Sequence, residues 1–271
     1  PTPAFYLDGD EVTLTATAAE GWVFAGWSGD VTGEEATITV TLDADKSVTA
    51  TFLALHTLTT EAVGQGTVAV SPDQAEYVHG TAVTLTAVAE AGWAFVGWSG
   101  DLAGDANPAT LIIDADKSVT ATFVPLYPLT VTVVGEGGAV ERAPDQAEYV
   151  AGAQVTLTAS AAPGWRFTGW SGDGQGSEAS IIVTMDSAKA VTAAFVEEEY
   201  ALTLSAQGQG SLTADPVKPF YRYGDEVTLT ATPAQGWFFM GWGGDVQGSQ
   251  NPVTIVIDGD KSVTAQFAEG V

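Results

Sequence analysis

The chain has 271 residues, no cysteine, and 34 acidic against 8 basic side chains, which gives a formal net charge of −26. Nucleic acids and anionic membrane surfaces need a positively charged partner, so this charge argues against both as ligands. Without cysteine the chain forms no disulfide and has no thiol chemistry. No apolar run approaches the ~18 residues that would span a membrane, so we expect no transmembrane segment.

One ten-residue motif organises the whole chain and holds all eight tryptophans. It reads GWVFAGWSGD at Gly21–Asp30 and returns at Gly92–Asp101, Gly164–Asp173 and Gly236–Asp245. The first tryptophans of the four copies lie 71 or 72 residues apart, at positions 22, 93, 165 and 237. The sequence therefore predicts a tandem array: a partial repeat 1 at 1–55, repeat 2 at 56–126, repeat 3 at 127–198 and repeat 4 at 199–271.

Within repeat 1 the segments read as short β-strands separated by turns. A turn at Tyr6–Gly9 precedes a strand at Val12–Thr17, in which Val, Leu and Ala alternate with Thr, as in a half-buried strand. After the Gly-Trp strand come a glycine-rich loop, a second alternating strand, an acidic turn and a last strand, at Ser28–Glu35, Ala36–Leu42, Asp43–Lys46 and Ser47–Phe52. No segment shows a helical apolar period.

Repeats 2 to 4 begin with an extra segment that repeat 1 lacks. The segments, His56–Pro72, Tyr127–Pro144 and Tyr200–Pro216, each contain two alternating runs around a glycine-rich turn, such as Gly64–Gly66, and predict a β-hairpin. Joints such as Phe52–Leu58 and Phe123–Leu129 are short and not Gly/Ser-rich. We therefore predict an all-β tandem array of six-stranded β-sandwich or open-barrel units of about 72 residues, forming an extended rod with an incomplete first unit.

Three motifs in fixed order resemble the divergent internalin-B B-repeat family. They are the alternating strand Val12–Ala16, the motif Gly21–Asp30 and the ending Asp43–Phe52, each with three further copies. The resemblance covers nearly the whole chain. It implies a small all-β extracellular module, used in tandem in large surface proteins as a stalk or adhesive repeat, and no catalytic activity.

The aromatic residues of each repeat are the candidate core. Strand alternation places Trp22 and Phe24 on one face, and a bulge at Gly26 would bring Trp27 onto it as well. The outward tryptophan of each pair either packs on the next unit or binds a glycan. The predicted core residues are Trp22, Phe24, Phe52, Trp93, Phe95, Phe123, Trp165, Phe167, Phe195, Trp237, Phe239 and Phe267.

The recurring aspartates are the candidate metal ligands, because Ca²⁺ prefers carboxylate and carbonyl oxygens. The Ca²⁺ candidates are Asp30, Asp43, Asp45, Asp101, Asp114, Asp116, Asp245, Asp258 and Asp260. Repeat 3 breaks the pattern, since Ala188 stands at the counterpart of Asp45. The other interpretation is turn chemistry, in which aspartates cap backbone amides and Lys46 pairs locally. No other cofactor is indicated.

Nothing in the sequence predicts an enzyme. The two histidines, His56 and His79, do not recur, and there is no nucleophile triad, phosphate loop or cluster of His and Cys. The favoured function is a non-enzymatic extracellular stalk or spacer of a large surface protein, whose partners are its own neighbouring repeats. One alternative is a self-assembling fibre, joined by another copy of the chain at the open edge of repeat 1. The other is a carbohydrate-binding adhesin.

Overall fold

The computed structural model describes residues 5–270, and every regular element in that range is a β-strand. The predicted all-β class is therefore confirmed. The chain divides into two compact units, one ending at Leu126 and the other beginning at Tyr127.

The first unit contains β1 (Asp10–Thr15), β2 (Trp22–Gly29), β3 (Thr37–Leu42), β4 (Val48–His56), β5 (Leu58–Val63), β6 (Gly66–Ser71), β7 (Tyr77–Val78), β8 (Thr81–Ala89), β9 (Trp93–Gly100) and β10 (Ala109–Ile113). Strand β11 (Lys117–Val134) begins in the first unit and ends in the second. The second continues with β12 (Gly138–Ala143), β13 (Glu148–Val150), β14 (Gln154–Ala161), β15 (Trp165–Gly172), β16 (Ser180–Thr184), β17 (Lys189–Glu197), β18 (Leu202–Gln207), β19 (Gly210–Asp215), β20 (Glu226–Pro233), β21 (Trp237–Gly244), β22 (Val253–Val256) and β23 (Lys261–Glu269).

Repeat 2 shows the complete unit, which is a sandwich of two open three-stranded sheets. In one sheet β11 pairs with β5 in parallel and with β9 antiparallel. In the other, β8 pairs antiparallel with β6 and β10. Their alternating apolar side chains face each other, so Val83 and Leu85 of β8 and Val119 and Ala121 of β11 are fully buried. Repeats 3 and 4 have the same two sheets, β11-β17-β15 with β12-β14-β16 and β18-β23-β21 with β19-β20-β22.

The extra segment of repeats 2 to 4 does not form the predicted hairpin. Strands β5 and β6 follow each other along the chain but belong to opposite sheets, so the segment is a β-arch across the sandwich. Its glycines are needed because the chain passes tightly over Phe123: a Cβ on Gly66 would lie 2.6 Å from the Phe123 ring. Below, "the arch" denotes residues 58–71 and their counterparts 129–143 and 202–215.

A β-bulge occurs at the same point in every Gly-Trp strand. Between β2 and β4 the register shifts after Phe24, so that Ala25 is an extra residue and Gly26 adopts φ = +146°. The bulge turns Trp27 onto the side of Phe24, and the two ring centroids lie 5.3 Å apart. The other three Gly-Trp strands shift register at the corresponding position.

Repeat 1 has four strands in the described part of the chain, and two two-stranded pairs replace the two three-stranded sheets. Strand β1 pairs with β3, and β4 pairs with β2. Its apolar interior is correspondingly thin. Val40 is buried, but Phe52 is only half-buried. By contrast, the counterpart of Phe52 in repeat 2, Phe123, is 3% exposed. The lost burial follows directly from the missing arch.

Candidate functional site

The second tryptophan of each Gly-Trp strand is the anchor of the glycine-rich loop. Trp98 is 5% exposed, and its indole Nε1 donates a hydrogen bond of 2.8 Å to the carbonyl oxygen of Ala106. Its backbone amide donates to the carbonyl of Gly104 at 2.7 Å. Equivalent indole bonds reach Glu35, Glu178 and Gln250 in the other repeats. This side chain therefore has a structural role within its own repeat.

The first tryptophan is less buried than predicted, and this corrects the assignment of Trp22 to the core. Trp93, Trp165 and Trp237 are half-buried and pack on the glycines of their own arch; a Cβ on Gly64 would lie 3.0 Å from Cζ3 of Trp93. The described part of repeat 1 contains no arch, and Trp22 is 49% exposed there. The outward tryptophan is thus covered by its own repeat rather than by the next one.

The remaining predicted core residues fall into two groups. Phe123, Phe195 and Phe267 are buried, at 3–7% exposure. The others are half-buried and make tilted or edge-on ring contacts within their repeats, with centroids 4.9–5.9 Å apart. They are Phe24, Phe52, Phe95, Phe167 and Phe239.

The aspartate that ends each Gly-Trp motif ties the motif to the last strand of its repeat. The carboxylate of Asp101 accepts a hydrogen bond from the amide of Ser118 at 2.7 Å, and its own amide donates to the Ser118 carbonyl at 2.9 Å. Asp30, Asp173 and Asp245 make the same pair of bonds to residues 47, 190 and 262. These carboxylates act as backbone caps.

The acidic turn contains a local ion pair in all four repeats. Lys117 Nζ lies 2.7 Å from Asp114, three residues earlier, and the pairs Lys46–Asp43, Lys189–Asp186 and Lys261–Asp258 correspond to it. A hydrogen bond from Lys117 holds the pKa of Asp114 below its ordinary value, and the same bond raises the pKa of Lys117. The Asp101 carboxylate also raises the pKa of Lys117, so this ammonium lies near both aspartates.

The second aspartate of the turn fastens the start of the arch. Asp116 Oδ1 accepts hydrogen bonds from the amide and the hydroxyl of Thr57, at 2.8 and 3.1 Å. These bonds lower the pKa of Asp116. Asp260 accepts from the amide of Ala201 in the same way, at 2.8 Å.

These contacts correct the prediction of a calcium site. Within residues 5–270 no group of three or more His, Cys, Asp or Glu side chains could hold a metal ion. The carboxylates bind a lysine ammonium and backbone amides of their own repeat instead. The predicted Ca²⁺ ligands that instead bind groups of their own repeat are Asp30, Asp43, Asp101, Asp114, Asp116, Asp245, Asp258 and Asp260. Asp45 belongs to the same acidic turn, but the described part of its repeat contains no counterpart of Thr57.

In the first unit, repeats 1 and 2 are joined by strand pairing without a linker. Strand β4 pairs with β2 of repeat 1, and its last residues, Leu55 and His56, pair with β7. The amide of Leu55 donates to the carbonyl of Gly21 at 2.8 Å, and that of His79 donates to Ala54 at 2.8 Å. This joint also brings His56 Nε2 within 3.2 Å of His79 Nδ1, a contact that no sequence pattern predicts because neither histidine recurs.

In the second unit, repeats 3 and 4 meet through a different set of side chains. Tyr200 and Tyr221 exchange two backbone hydrogen bonds of 2.9 Å. Arg222 forms ion pairs with Glu199 at 2.9 Å and with Glu197 at 3.4 Å. Tyr223 lies so close to Gly164 that a Cβ there would overlap the tyrosine side chain. Three residues of this joint, Glu198, Glu199 and Ala201, lie outside the strands, and hydrogen bonds and an ion pair hold them in place.

The chain thus contains four copies of the same strand pattern, bulge and acidic turn. The model of the divergent InlB B-repeat domain matches the chain at residues 2–55, 56–126, 127–199 and 200–270. The chain belongs to the divergent InlB B-repeat family. Among the curated proteins, none matches it. The described residues contain no helix long and apolar enough to cross a membrane.

The first B-repeat has two open strand edges. In the three complete B-repeats the strand that corresponds to β4 has a parallel partner from the arch, and the strand that corresponds to β1 has an antiparallel one. In the described part of repeat 1 neither partner is present. Inward residues between these edges, such as Leu14 and Ala50, are consequently half-buried, whereas their counterparts Leu85 and Ala121 are fully buried.

Two B-repeats use an asparagine to complete a strand edge. Asn107 Oδ1 accepts from the amide of Ala87 at 2.9 Å, and Asn107 Nδ2 donates to the Ala87 carbonyl at 2.8 Å. Asn251 bonds to Ala231 in the same way. In repeats 1 and 3 a backbone carbonyl, that of Ala36 or Ala179, accepts from the corresponding amide. The side-chain amides of the two asparagines thus take the place of a neighbouring strand's backbone in pairing with Ala87 and Ala231.

Proposed function

We propose that this B-repeat segment is a non-enzymatic structural spacer of a large extracellular or cell-surface protein. The family, whose tandem repeats occur in surface proteins, fits a structural repeat role. The charge of −26 suits a soluble segment that repels its own copies. The polar residues that recur in every repeat are used for capping and ion pairing, which favours architecture over ligand binding.

The observation that supports a spacer best is the joint between repeats 1 and 2. Because β4 passes from its partner β2 directly to its partner β7, the chain has no free residues there about which to hinge. The joint between repeats 3 and 4 has backbone pairing and ion pairs in the same place. A spacer needs such connections, since each repeat then adds a defined length.

Small-angle X-ray scattering of the full chain tests this proposal. We expect an extended particle whose maximum dimension changes little with added salt. Insertion of a Gly-Ser linker between His56 and Thr57 should broaden the distance distribution. The same insertion in the exposed loop between Gly33 and Glu34 is the matched control and should not. A compact wild-type particle, or identical curves for both insertions, would contradict the spacer proposal.

A second candidate function is assembly into a fibre through repeat 1, in which the edges of β1 and β4 that are unpaired within residues 5–270 take a strand from another copy of the chain rather than from an earlier part of the same polypeptide. Unpaired edges are templates for another strand. Repeats 2 to 4 show what would fit these edges. It is an arch whose first strand pairs in parallel with one sheet and whose second strand pairs antiparallel with the other. The half-exposed Trp22 would be covered by the glycines of such an arch, as Trp93 is by Gly64.

A synthetic peptide of residues 57–71 tests whether repeat 1 accepts an arch. Hydrogen exchange in β1 and β4 should slow when the peptide binds. A peptide in which Gly64→Ala and Gly66→Ala are combined is the control, because both methyl groups would collide with the position of Phe52, the counterpart of Phe123. Assembly itself is measured by light scattering across a concentration series. A chain that stays monomeric throughout rules out the fibre candidate.

A further inference from the structure

The joint between repeats 1 and 2 contains the two histidines of the chain in direct contact. His56 ends β4, and His79 follows β7 in the turn that leads to β8. Their Nε2 and Nδ1 atoms are 3.2 Å apart, and their ring centroids are 5.4 Å apart with a 59° interplanar angle. His79 is exposed and His56 is half-buried, so solvent and ions reach the pair.

The two nitrogens are within hydrogen-bonding distance, and their 3.2 Å separation is also close to that of two imidazole nitrogens bound to a single metal ion. Two Zn–N bonds of about 2.0–2.1 Å that meet at the tetrahedral angle separate their nitrogens by about 3.3–3.4 Å. For both nitrogens to bind one ion, the hydrogen bond between the rings must be exchanged for two metal–nitrogen bonds. The backbone already holds the residues together, because the amide of His79 donates to Ala54 on the same strand as His56.

Two carboxylates lie near the pair, Asp116 near His56 and Asp114 near His79. Asp116 is hydrogen-bonded through Oδ1 to Thr57, the residue after His56. Asp114 follows Ile113, whose carbonyl accepts from the amide of Gly80, the residue after His79. These acidic neighbours and the overall negative charge attract cations, and no cysteine elsewhere in the chain competes for a borderline metal.

We propose that His56 and His79 form a divalent transition-metal site, with Zn²⁺ as the reference ion, that clamps the joint between repeats 1 and 2. The two imidazoles are the protein ligands in the described structure, and water completes the coordination. A metal bound there links the end of β4 to the turn after β7. It therefore stabilises the pairing of Leu55 and His56 with β7 against opening.

Isothermal titration calorimetry of the full chain with Zn²⁺ at neutral pH tests the site. We expect one ion per chain and a higher Tm in Zn²⁺ that a chelator reverses. Because loss of even an outer-shell partner lowers metal affinity about 10–100-fold, His79→Gln should weaken binding by about tenfold or more. Cu²⁺ should bind more tightly than Zn²⁺, and Ca²⁺ should not compete.

The carboxylate contribution has a matched control in repeat 4. Asp116→Asn and Asp260→Asn remove equivalent caps, but only Asp116 has histidines nearby, so only Asp116→Asn should lower Zn²⁺ affinity. Circular dichroism of His79→Gln, a change at an exposed turn residue, checks that the fold is retained. Paramagnetic broadening of both imidazole proton signals by Ni²⁺ provides a second measurement. Zn²⁺ binding that survives both His56→Gln and His79→Gln would overturn the proposal and indicate carboxylate binding only.

Discussion

The indole Nε1 of Trp98 and the carbonyl oxygen of Ala106 are 2.8 Å apart, and this hydrogen bond closes the glycine-rich loop over the core of repeat 2. Trp98→Phe keeps an aromatic ring but leaves the Ala106 carbonyl without its partner. We expect a loss of about 2–3 kcal/mol in the free energy of unfolding of repeat 2, from lost packing and the unpaired acceptor.

The control for that substitution is Trp93→Phe in the same strand. Trp93 is half-buried against the arch and donates no side-chain hydrogen bond in the described structure. Its replacement by Phe should therefore lower the free energy of unfolding by about 1 kcal/mol or less. Hydrogen exchange resolved by repeat gives both values. Equal losses for the two variants would show that the indole bond does not stabilise the loop.

Gly100 is needed both for its backbone angle and for the space around it. It adopts φ = +91°, and a Cβ would overlap the carbonyl oxygen of Ser118. Gly80 has a similar φ of +88° but open space around it. Gly80→Ala should therefore lower the free energy of unfolding by about 1–2 kcal/mol, because of the left-handed backbone alone. Gly100→Ala should lower it by about 3 kcal/mol or more, because the clash adds to the backbone strain. Chemical denaturation compares the two, and similar losses would contradict the steric explanation.

Asn107 substitutes for a backbone partner of Ala87, and its removal leaves both polar groups of Ala87 unpaired. Asn107→Ala should destabilise repeat 2 by about 1–3 kcal/mol. Asn107→Asp should not rescue it, because a carboxylate cannot donate to the Ala87 carbonyl. Asp105→Ala, in the same exposed loop, is the control and should change the stability by about 0.5 kcal/mol at most. Faster exchange of the Ala87 amide is the specific signature.

The ion pair of Asp114 and Lys117 should add a stability term that is lost at both ends of the pH scale. The pKa of Asp114 is lowered from 3.8, so the pair stabilises the fold above that value and the contribution disappears as pH falls through the folded-state pKa. The pKa of Lys117 is raised from 10.5, so the contribution is complete below that value and is lost as pH rises through the folded-state pKa.

Thermal melts of the wild type and Asp114→Asn across the pH scale measure this term. The difference between their Tm values should be constant between these limits and should shrink outside them. Because both charges are at the surface, added salt should also reduce the difference. A difference that is unchanged in strong acid would show that Asp114 acts through its shape rather than its charge.

Calcium should leave the thermal stability unchanged beyond its effect on ionic strength. The aspartates first considered as ligands are occupied by Lys117, Ser118 and Thr57 and by their counterparts in the other repeats. Melts with Ca²⁺, with a calcium-selective chelator and with Na⁺ at matched ionic strength provide the comparison. A Tm that rises with Ca²⁺ but not with Na⁺ would restore the calcium hypothesis.

Local chemistry explains which features could be predicted from the sequence. Alternation of Val, Leu and Ala with Thr identifies the strands, and Gly26 between two aromatic residues indicates the bulge. The partner of the first arch strand could not be predicted from local sequence, since β5 pairs with residues 59 positions away. The glycines of that segment suggested a hairpin, but they are required by the ring of Phe123.

The exposure of Trp22 and the contact of His56 with His79 depend on the same kind of distant relationship. Trp22 and Trp93 occupy equivalent positions in nearly identical motifs, yet Trp22 is exposed because no arch covers it within residues 5–270. The histidines are 23 residues apart and meet only because β4 pairs with β7. Neither outcome has a local sequence signal.

The parallel pairing of the first and last strands of a complete repeat has a mechanical consequence. Tension applied along the chain pulls the start of β18 and the end of β23 in opposite directions, yet these strands lie side by side with six residues in register. Their hydrogen bonds are then loaded in shear and must break together rather than one after another. Each complete repeat should therefore extend in a single high-force event, which force spectroscopy would record as regularly spaced peaks.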